Sequence, residues 1–165
     1  AGEALRIIEK ERVTSIGGVP VMARELINHP DFATTDVSSL TSLSGGGAQV
    51  PPDLVHKIED GVASARPSTC YGRTETCGSI TSNSGDFFVD KPYSAGPAMP
   101  AYEAKCVDDA GNTVAPGEIG ELWVRSAAVI KGYINRPEAT AAAITDGWLH
   151  TGDIARIDED GFIYI

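Results

Sequence analysis

The pattern that most limits the fold is an alternation in the first half of the chain, where short apolar runs are separated by segments of helical spacing. Residues 3–10 carry Leu5 and Ile8 on one helical face, and Val13 to Val19 reads as a buried strand. A helix is expected next: Pro20 suits a first turn, Val19, Met22, Ala23, Leu26 and Ile27 recur at helical spacing, and Pro30 helps stop it. Leu40 to Ser44 is expected as a second strand, closed by Gly45-Gly46-Gly47. Pro51 and Pro52 open another helix, with Leu54, Ile58 and Val62 spaced by four, and Pro67 to Tyr71 reads as a third strand. Strands separated by helices imply βαβ units and a parallel sheet. Ligands of such sheets bind beyond the carboxyl ends of the strands, and Gly45-Gly46-Gly47 and Tyr71-Gly72 both fall at such ends.

The character changes near Asp90. Glu103 to Val107 and Gly120 to Val124 read as strands, with Asp109-Ala110-Gly111-Asn112 as a turn between them. Gly132 to Ile134 and Ile154 to Ile157 are further short strand candidates, and Pro137 opens a brief helix over 137–145. Asp158-Glu159-Asp160-Gly161 is a turn leading into Phe162-Ile163-Tyr164-Ile165. The expected fold class is therefore α/β: a partial parallel βαβ layer over residues 1–90, followed by a small, mostly antiparallel β-unit over residues 91–165. A chain that begins inside a helical pattern and stops on an apolar strand is expected to be a piece of a longer protein, truncated at both ends.

Composition narrows the function classes. A hydrophobic content of 42% excludes a disordered chain. No apolar run approaches the roughly 20 residues that span a bilayer, and the first residues lack the basic and apolar stretches of a signal peptide. Cys70, Cys77 and Cys106 are an odd number without close pairing, which suits a reducing cytoplasm. A net charge of -10 with no cluster of Lys and Arg argues against nucleic acid. It leaves a nucleotide ligand open, because backbone N–H groups and a bound cation can hold phosphates locally.

Three constellations can carry chemistry. In Tyr71-Gly72-Arg73-Thr74-Glu75 the ring can stack a base, the hydroxyl of Thr74 can bond a phosphate oxygen and the carboxylate of Glu75 can take Mg²⁺. The plainer alternative is a polar strand exit with Tyr71 packed in the core. Thr151-Gly152-Asp153 offers an acid after a glycine turn, able to accept from a ribose diol or to cap nearby N–H groups. Gly45-Gly46-Gly47-Ala48 lets backbone approach a flat ligand, yet it matches neither the Walker loop nor the Rossmann glycine pattern. His29, His56 and His150 are scattered without metal-ligand spacing.

Taken in order, these pieces resemble the AMP-forming acyl-CoA synthetases, members of the adenylate-forming ligase superfamily. The resemblance rests on Ser44-Gly45-Gly46-Gly47-Ala48, Cys70 to Glu75, Gly117-Glu118-Ile119-Gly120-Glu121-Leu122-Trp123-Val124-Arg125, Lys131-Gly132-Tyr133, Gly147 to Asp153 and Asp158 to Ile165. It covers nearly the whole chain, as an internal stretch of the large N-terminal domain. It implies a ligase that activates a carboxylic acid, fatty or aryl, with Mg·ATP to an acyl-adenylate and then transfers the acyl group to coenzyme A. On this resemblance Tyr71 stacks on adenine, with Gly46, Gly47 and Ala48 as the opposite wall. Thr74 meets the α-phosphate beside Gly72, Glu75 holds Mg²⁺ and Asp153 takes both ribose hydroxyls. Gly18, Val19, Pro20 and Cys77 border the acyl group, whereas Arg73, at the motif's variable position, receives no role. The family's phosphate loop and catalytic lysine match nothing here, so these 165 residues alone are expected to be inactive and able to self-associate through exposed apolar faces. A peptide-synthetase adenylation domain and a non-catalytic nucleotide- or protein-binding module are the alternatives.

Overall fold

The computed structural model describes residues 1–48, 50–62 and 65–165, with Glu59 represented by its backbone alone. In chain order the elements are α1 (Gly2–Glu11), β1 (Ser15–Gly18), α2 (Pro20–Ile27), β2 (Ser42–Gly46), α3 (Pro52–Gly61) and β3 (Arg66–Cys70). Then come β4 (Gly72–Arg73), β5 (Gly78–Ser79), β6 (Asn83–Ser84), α4 (Asp86–Asp90), β7 (Gly96–Pro97) and β8 (Glu103–Val107). The last are β9 (Ile119–Arg125), α5 (Pro137–Ala143), β10 (Ile144–Thr145), β11 (Trp148–Ile157) and β12 (Phe162–Tyr164). Among the described residues no helix is long and apolar enough to cross a membrane.

The polypeptide builds two compact units. The first comprises Ala1–Cys70 and Asn83–Tyr93, the second Tyr71–Ser82 and Ser94–Ile165. In the first, β1, β2 and β3 are parallel neighbours and β6 adds an antiparallel edge to β3. Proline stands at the first turn of both α2 and α3, where its fixed φ suits the helix and its missing N–H costs nothing. Helix α2 packs on β2 and α3 on β3, burying Leu26, Leu43, Leu54, Val55 and Ile58 with Leu5 and Ile8 of α1.

The second unit is antiparallel. Its main sheet runs β7-β12-β11-β9-β8, with β10 paired to β11. Strand β9 shows the period of two that such a sheet demands: Gly120, Leu122 and Val124 are buried, and Glu121 and Trp123 are half-buried on the opposite face. Leu122 and Val124 join Ile80, Cys106, Leu149, Ala155 and Ile163 in a separate core. Gly120 has no room for a side chain, because a Cβ there would fall on the carbonyl of Val107 in β8.

The α/β class with a parallel layer followed by an antiparallel unit is as expected from the sequence. Several elements differ in detail. Residues 132–134 form no strand: Gly132 has φ 151, Tyr133 donates its N–H to Thr140 Oγ1 at 2.9 Å, and Arg136 N–H bonds Tyr133 O. The strand read over 13–19 is shortened to Ser15–Gly18, because α1 ends in a left-handed Arg12. A 3₁₀ turn, Pro30–Thr34, and α4 were not expected.

Candidate functional site

The first unit carries Gly18, Val19, Pro20, Gly46, Gly47 and Ala48. Gly18 ends β1, Val19 is exposed as the residue before α2, and Pro20 is buried. Gly46 ends β2, where a Cβ would reach Cys70 Sγ at 3.4 Å, an ordinary contact. Gly47 is a glycine for its backbone, with φ 74 and open space around it.

The second unit brings together Tyr71, Arg73, Glu75, Tyr133 and Asp153. Gly72 and Arg73 pair with Ser79 and Gly78 as the two-stranded hairpin β4–β5, and a 3₁₀ turn over Thr74–Thr76 lies between. The hairpin is pinned from inside by Thr76, whose hydroxyl accepts from Arg73 N–H at 3.1 Å and lies 2.8 Å from Gly78 O. Tyr102 donates its hydroxyl to Thr76 O at 2.7 Å. Thr81 secures the entry, accepting from Tyr71 N–H at 3.1 Å and donating to Ala95 O at 2.6 Å. Gly72 is required by this geometry, since a Cβ would fall on the carbonyl of Gly78. Thr74 and Cys77 are exposed on the turn, and Cys77 is left-handed at φ 55.

Asp153 arrives from a different device. The segment Thr151-Gly152-Asp153 is a bulge in β11: His150 pairs with Trp123 and Ile154 with Glu121, so three residues stand opposite Leu122. The sequence pointed to a glycine turn, and the structure places the same residues inside a strand. Bulges re-aim side chains in this way. The buried Thr151 hydroxyl donates to Leu122 O at 2.7 Å and accepts from Asp153 N–H at 3.1 Å. Gly152 takes φ 73, and its N–H donates to Glu121 Oε1 at 2.9 Å, while Glu121 Oε2 accepts from Trp123 Nε1. With the local N–H groups so occupied, the Asp153 carboxylate is not their cap.

The Tyr71 hydroxyl donates to Asp153 Oδ2 at 2.5 Å, joining two motifs 82 positions apart. Its ring packs against the second core, so both sequence readings of Tyr71 describe part of it: half-buried, with a polar tip at an acid. Burial first, and then the Asp153 bond, push the phenol up to about 12. Arg73 Nη1 donates to the same Oδ2 at 3.0 Å and also to the carbonyl of Thr151. Its Nε lies 3.7 Å from Glu75 Oε2. Glu75 Oε1 accepts from the Tyr133 hydroxyl at 2.9 Å, and Ile130 N–H bonds Glu75 O. A bond from its own backbone N–H, followed by that of Tyr133, holds the Glu75 carboxyl below the usual carboxylate range.

Arg73, Tyr133, Glu121 and Thr151 are thus working parts that the sequence reading left without a role. Only Glu121 carried a signal: it sits two residues from Trp123 on one strand face, where side chains meet. No group of three His, Cys, Asp or Glu residues able to hold a metal exists among the described residues. A single carboxylate with water and phosphate oxygens is, however, a normal Mg²⁺ environment, and the partly exposed Glu75 carboxylate can contribute to one.

Residues 1–134 match the family described as AMP-binding enzyme. The chain belongs to that family. A feruloyl-CoA synthase from an Amycolatopsis species is 39% identical to this AMP-binding enzyme chain over 165 residues, covering 99% of the chain and 33% of that protein. The long-chain-fatty-acid–CoA ligase of Bacillus subtilis (strain 168) is 37% identical over 164 residues, 99% of this chain and 29% of the ligase. Among solved structures, the N-terminal domain of FACL13 from Mycobacterium tuberculosis superposes with a TM-score of 0.91 at 32% identity, covering 99% of this chain and 41% of that one. O-succinylbenzoate coenzyme A synthetase (MenE) from Bacillus subtilis, solved in complex with ATP and magnesium ion, gives 0.88 at 32% identity, covering 99% and 33%. The resemblance read from the motifs is borne out, and the AMP-binding enzyme chain spans about a third of the length of the curated relatives it matches.

Proposed function

We propose that this chain is the nucleotide-holding part of an adenylate-forming ligase that activates a carboxylic acid, fatty or aryl, for transfer to coenzyme A. The observation that carries the reading is the meeting of Tyr71 and Asp153 at 2.5 Å, beside Glu75, in a chain of the AMP-binding enzyme family. The chemical need is plain: a carboxylate has no leaving group. Its attack on the α-phosphorus of ATP expels pyrophosphate and leaves the acyl group on AMP. The thiolate of coenzyme A then attacks the acyl carbon, and AMP departs with the bonding electron pair.

In this scheme Tyr71 presents its ring to adenine and Asp153 accepts from the ribose. Thr74, exposed on the 3₁₀ turn, donates its hydroxyl to the α-phosphate. Glu75 would hold Mg²⁺, which supplies charge neutralisation for the phosphates. Tyr133 orients the Glu75 carboxylate by bonding Oε1. The acyl acceptor has a second reading, since an amide bond synthetase from Marinactinospora thermotolerans is similar at 33% identity and TM-score 0.91. Three free cysteines support a reducing, cytoplasmic setting.

Acid-dependent exchange of labelled pyrophosphate into ATP tests the reading. The full-length protein should catalyse it with a fatty or aryl acid, and Asp153→Ala should weaken ATP binding about tenfold, the worth of a charged hydrogen-bond partner. No exchange with any acid of a broad panel would sink the reading. The 165 residues alone are proposed to be inactive, because Lys10, Lys57, Lys91, Lys105 and Lys131 match no catalytic lysine of the family.

A further inference from the structure

Arg73 receives no role in the resemblance drawn from the Tyr71–Glu75 run, yet its guanidinium lies between the two acids of the site. Nη1 reaches Asp153 Oδ2 at 3.0 Å, Nε lies 3.7 Å from Glu75 Oε2, and the side chain is one-third exposed. The same Nη1 donates to the carbonyl of Thr151, two residues before Asp153 in the β11 bulge. One group therefore grips both the backbone of the bulge and the acid the bulge projects. Tyr71 donates to Oδ2 as well, at 2.5 Å. Asp153 Oδ1, by contrast, accepts no side-chain hydrogen bond among the described residues.

We infer that Arg73 is the positioning residue of the ribose contact: with Tyr71 it saturates Asp153 Oδ2 and leaves Oδ1 as the oxygen that accepts from the nucleotide's sugar. The inference rests on the proposed assignment of Asp153 to the ribose, and refines it. A carboxylate rotates easily about its last torsion, which is broad and two-fold. Tyr71 alone fixes one oxygen but not the rotation. A planar guanidinium anchored at Thr151 O adds a second bond of fixed direction, which a lysine, as a point charge on a flexible stem, cannot reproduce. Its positive charge also stands between the Glu75 and Asp153 carboxylates and offsets their mutual repulsion.

The test is binding of ATP and of 2′,3′-dideoxy-ATP to the full-length protein by calorimetry, without acid substrate. Wild type, Asp153→Ala, Arg73→Met and Arg73→Lys are compared. Arg73→Met should weaken ATP about tenfold and the dideoxy nucleotide less than about twofold, since the latter has no hydroxyl to misalign. Arg73→Lys should recover part of the loss. Circular dichroism and the melting temperature report folding of every variant independently of nucleotide. Equal losses for both nucleotides in Arg73→Met, or ATP binding at full strength, would overturn the role of Arg73. If Asp153→Ala discriminates between the nucleotides and Arg73→Met does not, the ribose assignment stands and this inference falls. If Asp153→Ala fails to discriminate, the ribose assignment itself is lost, and the role of Arg73 with it.

Discussion

Tyr133 and Tyr71 show how single hydroxyls set the protonation of this site. Tyr133 bonds Glu75 and raises its own phenol in return. Tyr133→Phe should move the Glu75 carboxyl up toward its ordinary value, though not fully, because the backbone bond remains. A carbon-detected NMR titration of the Glu75 carboxyl reads this directly; an unmoved midpoint would refute the assignment. The sign for stability follows from the lowered pKa. Glu75 contributes above the ordinary carboxylate range and loses that contribution as pH falls through its own lower midpoint. Tyr71 works at the other end of the scale. Its folded phenol keeps a proton to about 12, whereas an unfolded one releases it near 10.0. The stability it supplies is complete below the unfolded value and is lost as pH rises between the two. Urea unfolding at pH 9 and pH 11 should therefore show a smaller alkaline loss in Tyr71→Phe than in the wild type, and parallel losses would contradict it. At this scale the sequence was half legible. Tyr71, Glu75 and Asp153 stand in recognisable runs, but Arg73 and Tyr133 gain their meaning only when residues 80 and 58 positions away, respectively, arrive beside them.

Strand β11 and the hairpin β4–β5 are the elements that aim those groups. Thr151 replaces a ladder bond with its hydroxyl, so Thr151→Val leaves Leu122 O without that donor in a buried place. That should cost about 1–3 kcal/mol, with Thr151→Ser nearer the wild type; equal melting curves for all three would show that the bulge does not depend on it. Gly72→Ala must push apart the hairpin backbone at Gly78, and should lower both stability and nucleotide affinity. The elements legible beforehand share a physical trait. Helix α3 and strand β8 are written by local periodicity and by proline at a first turn, and β8 has the expected bounds. The bulge was read as a turn because Thr-Gly-Asp has turn chemistry, and only pairing with β9 makes it part of a strand. The short strand expected at 132–134 failed for the converse reason: three residues of apolar character found no partner strand and closed a turn with Thr140 instead.

Two cores with no common member divide the stability of the whole molecule. Leu43→Ala in the first and Leu122→Ala in the second should each cost about 2–5 kcal/mol, as both side chains are essentially without solvent exposure. Their double mutant should be additive within about 0.5 kcal/mol by chemical denaturation, because the two residues belong to separate hydrophobic clusters. Strong non-additivity would mean that the two clusters are energetically coupled. The chain path that links them has a further consequence during biosynthesis. The polypeptide enters the second unit at Tyr71, returns to the first at Asn83 and leaves it again after Tyr93. A ribosome therefore releases the Tyr71 hairpin long before β11 exists to meet it. With 82 positions between Tyr71 and Asp153, translation leaves that hydroxyl waiting for roughly 4–16 s. Any chaperone that binds this nascent chain would find the Tyr71 hairpin among the segments longest exposed.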